Sequence, residues 1–120
     1  MRFLRTLAAI AAAFIVAPAF AAGVSTGAVT ETFTDTVTGK VWLEMSVVPT
    51  GQPACATYVG SGHFYYDASS VVGKITDARV QTAHLTGASV TVTGTNACGT
   101  GTGFTTAEVV KSFQFLPLAP

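Results

Sequence analysis

Trp42, Glu44 and Ser46 alternate along one side of the segment from Val41 to Val48, and Tyr65 lies further on. Together they combine aromatic faces with hydroxyl and carboxylate oxygens. That set suits a hydroxyl-rich ligand, whose apolar C–H faces rest on rings while its hydroxyls meet oxygen acceptors. The same residues also suit the side of a sheet or a subunit interface. Bond-breaking chemistry has less to draw on. His63 and Asp67 share a strand side with Tyr65 between them, but an extended chain holds them too far apart for a direct hydrogen bond. His63 reads as a strand residue beside a glycine bend. His84 falls near a helix end, where the dipole favours an imidazolium. Neither Gly-x-Ser-x-Gly nor His-Glu-x-x-His occurs, and Gly99-Thr100-Gly101-Thr102-Gly103 lacks the lysine of a phosphate-cradling loop. No catalytic residue, metal or cofactor is expected.

Cys55 and Cys98 are the two cysteines, and a zinc site would want more ligands at close spacing. Redox-active pairs are usually Cys-x-x-Cys, which is absent. Their fate follows from the N-terminus. Arg2 and Arg5, an apolar run from Leu7 to Ala17, Pro18 and the small-residue site Ala19-Phe20-Ala21 make the three-part pattern of a secretory leader. The run is well short of the roughly 20 residues that cross a bilayer. Residues 1–22, or 1–21 if the cut falls one position earlier, are therefore expected to be a signal peptide and residues 23–120 one small domain, exported to the periplasm or secreted, with no membrane insertion. In an oxidising compartment Cys55 and Cys98 should form a disulfide.

Charge narrows the partners. The full chain has a formal net charge of zero, with 10% charged and 49% hydrophobic residues, which excludes a charge-rich disordered segment. Without Arg2 and Arg5, the bases Lys40, Lys74, Arg79 and Lys111 face Glu31, Asp35, Glu44, Asp67, Asp77 and Glu108, a net of −2. Nucleic acid and anionic membrane surfaces find no basic patch.

The elements that must position these residues follow from periodicity. Val29 to Val37 alternates as a strand, with Val29, Glu31, Phe33, Asp35 and Val37 on one side and threonines on the other. A Thr38-Gly39-Lys40 turn leads into a second strand, Val41 to Val48, whose aliphatics should face Val29, Phe33 and Val37. Glu31 and Asp35 then share the apolar face, so they sit at a barrel mouth or a bulge turns them outward. A third strand is expected from about Cys55 to Tyr66, bent at Gly60-Ser61-Gly62. Val71, Ile75, Ala78, Thr82 and Leu85 recur at helical spacing opposite Lys74, Asp77, Gln81 and His84. That segment reads as an amphipathic helix capped by Ser69 or Ser70 and by Gly87. Strands from Ser89 to Gly94 and from Thr105 to Leu116 follow, joined by a glycine-rich loop. The fold class is mainly β with one helix. The order strand-strand-strand-helix-strand-strand suits a five-stranded OB-fold-like barrel with the helix closing one end.

The stretch Pro53-Ala54-Cys55-Ala56, then Phe64-Tyr65-Tyr66-Asp67, a helix from near Ser70, and Gly87-Ala88-Ser89-Val90-Thr91-Val92-Thr93-Gly94 leading to Cys98 resembles small exported bacterial OB-fold proteins. They are related to the pentameric receptor-binding B subunits of subtilase-cytotoxin-type toxins. The resemblance implies a non-enzymatic, ring-forming binding module that holds a cell-surface glycan, often a terminal sialic acid, on its outer strands. The competing expectation is a stand-alone periplasmic structural or accessory protein with no small-molecule ligand. Among single residues, Trp42, Glu44, Ser46 and Tyr65 are the binding candidates. Tyr58 and Tyr66 are further aromatics to place.

Overall fold

The computed structural model describes residues 22–57, 62–99 and 105–117. The expected leader as far as Ala21, Tyr58, Gly60 and Ser61 of the expected third strand, and residues 100–103 of the expected glycine-rich loop lie outside the described residues. Five strands and one helix follow in the order β1 (Val24–Thr34), β2 (Lys40–Met45), β3 (Phe64–Asp67), α1 (Val71–Thr86), β4 (Ser89–Cys98) and β5 (Glu108–Phe115). The strands close into a ring, β1-β2-β3-β5-β4, with β4 pairing back onto β1. The sheet is mixed. β3 and β5 run parallel, and the other neighbours are antiparallel.

β1 closes the ring by serving two partners in turn. Val24 to Ala28 pair with β4, and Val29 to Thr34 pair with β2. The strand begins well before the apolar alternation does, because Ser25, Gly27 and Ala28 carry no apolar pattern. Ser25 is nonetheless buried, and its hydroxyl donates to the Val47 carbonyl. The pairing register shifts between Val29 and Glu31. That bulge inserts one residue and reverses which side chains face inward. Val29 is buried, whereas Glu31 is exposed, Phe33 is 53% exposed and Val37 is 92% exposed. The expected apolar face of Val29, Phe33 and Val37 is thus corrected: beyond the bulge Thr32 and Thr34 lie opposite Leu43 and Val41. The turn is also longer than Thr38-Gly39-Lys40. Asp35 N–H donates to the Lys40 carbonyl at 2.9 Å, and the Asp35 carboxylate accepts from Val37 N–H at 2.8 Å.

Strand lengths differ from expectation where glycine and proline intervene. β2 ends at Met45, and Ser46 to Thr57 is loop and turn. β3 has four residues, not the stretch from Cys55, because Pro53 to Thr57 is occupied by tight turns such as Ala56 N–H to the Pro53 carbonyl. β4 is longer than expected, running through Gly94 to Cys98 with two register shifts. Cys55 and Cys98 are joined, with Cα atoms 6.1 Å apart, so the loop after β2 is tied to the end of β4.

Val29, Val41, Leu43, Met45, Phe64, Tyr66, Val90, Val92 and Phe113 fill the ring, and Val80 and Ala83 from α1 pack on them. The helix has its expected ends. Ser70 Oγ accepts from Gly73 N–H at 2.9 Å, and Gly87 caps the other end with φ 67°. Its orientation is the reverse of the expected one. Val71, Ile75 and Leu85 are 78%, 57% and 82% exposed, while Asp77, Gln81 and His84 are half-buried and only Lys74 of that stripe stays exposed. The cause is Tyr66. Its ring is buried in the core, its hydroxyl needs an acceptor there, and it donates to Asp77 Oδ1 at 2.7 Å. Gln81 Nε2 donates to the same oxygen, so the polar stripe must face the ring. Burial and this bond hold the Tyr66 phenol far above its ordinary pKa. Val80→Ala should therefore destabilise by about 2 kcal/mol and Leu85→Ala by less than about 0.5 kcal/mol. Urea midpoints of the two variants check this; the opposite ranking would restore the stripe read from periodicity.

Candidate functional site

β2 positions the binding candidates by simple alternation. Val41, Leu43 and Met45 point into the ring, so Trp42 and Glu44 face outward. The bulge in β1 places Phe33 opposite Trp42 and Glu31 opposite Glu44. The outer surface of β1 and β2 thus carries an aromatic pair beside a pair of carboxylates. Phe33 and Trp42 have ring centroids 5.4 Å apart at 52°. Glu31 and Glu44 are like charges directly across a strand pair, an arrangement that destabilises a sheet and favours a donor-rich ligand between them.

The row continues across the same outer face. Trp42 pairs with Tyr65 on β3, and Tyr65 with Val109 on β5. Tyr65 is 8% exposed, packed with Ala107, Val109 and Trp42. A Cβ on Gly62 would press on the Trp42 side chain and one on Gly99 on the Tyr65 ring, so only glycine lets those loop backbones approach. Burial pushes the Tyr65 phenol up, and Lys40 Nζ lies 6.0 Å from its ring centroid. The structure therefore brings Trp42 and Tyr65 together, with Tyr65 as the support, Trp42 half-buried on it and Phe33 exposed beside Trp42. Periodicity alone places Phe33 in the core; the signal that could move it outward is the acidic pair Glu31 and Asp35 on the same strand side.

Ser46 stands apart. It lies just past β2, and its hydroxyl accepts from Ala28 N–H at 2.9 Å while its own N–H donates to the Ala28 carbonyl. These bonds hold the β1–β2 crossing. His63 is also engaged: its Nδ1 accepts from Met45 N–H at 3.0 Å, and Gln52 Nε2 donates to its carbonyl. Burial pushes the His63 imidazole down, with Glu44 partly opposing. A lowered folded-state pKa means that the unfolded chain takes up the proton first as pH falls below about 6.5. Stability should thus decrease from there towards the folded pKa and flatten below it. Melting at pH 7.5 and 5.5 tests this: His63→Gln should lose the decrease, and an equal decrease in both proteins would assign it to another group.

A cleft of about 160 Å³ lies between the start of α1 and β5, lined by Ser70, Gly73, Thr76, Lys111 and Ser112 among others. It is small beside the roughly 300–1,000 Å³ of ordinary ligand pockets. Among the described residues no cluster of three or more His, Cys, Asp or Glu could hold a metal ion, and no helix is long and apolar enough to cross a membrane. The disulfide is compatible with an oxidising, exported location. No protein-family model, curated protein or solved structure matches the chain.

Proposed function

We propose that the chain is an exported, non-enzymatic binding module of the OB-fold, related to toxin B subunits, that forms rings and holds a neutral glycan on the outer face of β1 and β2. The observation that carries this reading is the Phe33–Trp42 pair beside the Glu31–Glu44 pair. Rings accept the C–H face of a sugar and carboxylates accept its hydroxyl protons. Two carboxylates there repel an acidic sugar, so a neutral or amino sugar fits better than the terminal sialic acid implied by the family resemblance. The OB-fold is supported by the strand order, the parallel β3–β5 pair and the helix between β3 and β4.

Ring formation draws support from α1, where Val71, Val72, Ile75 and Leu85 expose an apolar surface that solvent disfavours. The His63 imidazole, committed to Met45, supports a non-enzymatic role. Light scattering and a glycan array test the two halves. Multiples of the protomer mass and retention of neutral glycans, lost in Trp42→Ala, are expected. A strict monomer at tens of micromolar that retains no glycan would favour the stand-alone periplasmic protein instead.

A further inference from the structure

Glu108 opens β5 and is fully buried, yet no lysine, arginine or histidine among the described residues pairs with it. Backbone groups hold its oxygens. Gly23 N–H donates to both, at 3.1 Å each, and Asn96 N–H donates to Oε2 at 2.9 Å from a backbone with φ 65°. A Cβ on Gly23 or Gly94 would collide with the carboxyl group, so these two glycines make its space. Gly23 is itself fixed: its carbonyl accepts from Gly94 N–H at 2.8 Å, and Val24 exchanges two hydrogen bonds with Thr50. A carboxylate taken out of water is costly without a cation, and neutral donors meet only part of that cost.

The nitrogen held between both oxygens belongs to the first residue of the mature domain when the cut follows Ala22, and to the second when it follows Ala21. We propose that Glu108 is the built-in counter-ion for the α-ammonium that leader removal creates on Gly23, an inference that rests on the leader reading. A leader peptidase adds water across the Ala22–Gly23 amide. The C–N bond breaks, the water oxygen leaves Ala22 as a carboxylate, and the Gly23 nitrogen keeps its hydrogen and gains both protons. An α-amine with an ordinary pKa of about 7.7–8.0 is mostly charged at pH 7. The equal 3.1 Å distances then become a charge-assisted pair at the start of the strand that closes the ring.

The test uses protein exported from cells that make the full chain, with its first residue read by intact mass. Amine acylation at Gly23 and thermal melting are compared with a form beginning at Ala21, each with and without Glu108→Gln. Gly23 should be first, and its amine should be acylated at least about tenfold more slowly in the folded protein than in denaturant. Retaining Ala21 and Ala22 should lower the melting temperature by roughly 5–10 °C when Glu108 is present and leave it unchanged in the Glu108→Gln protein, where there is no charge to pair. If Glu108→Gln does not fold, the acylation rate and the effect of the extension on the Glu108 protein decide alone. Acylation of Gly23 as fast in the folded as in the unfolded protein, an unchanged melting temperature on extending the Glu108 protein, or a first residue of Ala22 overturns the pairing while the leader reading stands. An exported chain that still carries residues 1–22 overturns both.

Discussion

Replacing Cys55 and Cys98 together by serine should lower the melting temperature by about 20 °C. The bridge spans a sequence separation of 43. Closing a loop of that size removes about 4 kcal/mol of conformational freedom from the unfolded chain in the entropy model, and each kcal/mol moves a domain of this size by about 4–8 °C. That is a large share of the roughly 5–15 kcal/mol by which such domains are stable. The folded state adds to the effect, because among the described residues the loop after β2 has few other anchors. Ser25 Oγ to the Val47 carbonyl, the Val24–Thr50 bridge and Gln52 Nε2 to the His63 carbonyl hold its first half. Pro53 to Thr57 makes local turns and then depends on Cys55. Calorimetry of the oxidised protein and the double variant measures the difference. A shift below about 5 °C would mean that the unfolded chain is already constrained there.

Phe64→Ala should cost about 3–5 kcal/mol, enough to unfold much of the population at ambient temperature. Phe64 is fully buried and sits on the shortest strand of the ring, opposite Leu43 on β2 and Glu108 on β5. Its ring fills the space where two neighbours meet a strand of four residues. An empty volume there weakens both pairings, and β3 is what joins β2 to β5. Phe33→Ala is the control. With half of its ring in water, that change should cost less than about 1 kcal/mol, although periodicity places Phe33 on the apolar face. Denaturant midpoints compare them, and equal costs would put Phe33 back in the core.

The two phenylalanines differ because some features are legible locally and others are not. Helix ends are local signals, and Ser70 and Gly87 sit where capping chemistry puts them. The disulfide needs only two cysteines and an oxidising destination. Faces are different, because one inserted residue reverses a strand. The bulge between Val29 and Glu31 is favoured by the acidic residues that would otherwise be buried, but its position depends on Ser46, a residue beyond the next strand, holding Ala28. Likewise α1 turns its aliphatic stripe outward because Tyr66, on the preceding strand, needs Asp77. Trp42 and Glu44 are legible as site candidates because alternation in β2 holds. Phe33 and Glu31 escape notice as their partners because the parity of β1 is not readable. Glu108 looks like an ordinary strand residue; the backbone donors that hold it are contributed by Gly23 and Asn96, which carry no side-chain signal for such a role.

Trp42 is the single tryptophan of the chain and lies on the proposed glycan face, so its emission reports the site directly. Titrating the protein with neutral and sialylated oligosaccharides should give a saturable change with a neutral sugar. Phe33→Ala and Glu44→Gln should each weaken it at least about tenfold, the equivalent of about 1.4 kcal/mol. An emission unmoved by every oligosaccharide, or a saturable change that both substitutions leave intact, would show that the outer face of β1 and β2 is not where this protein binds.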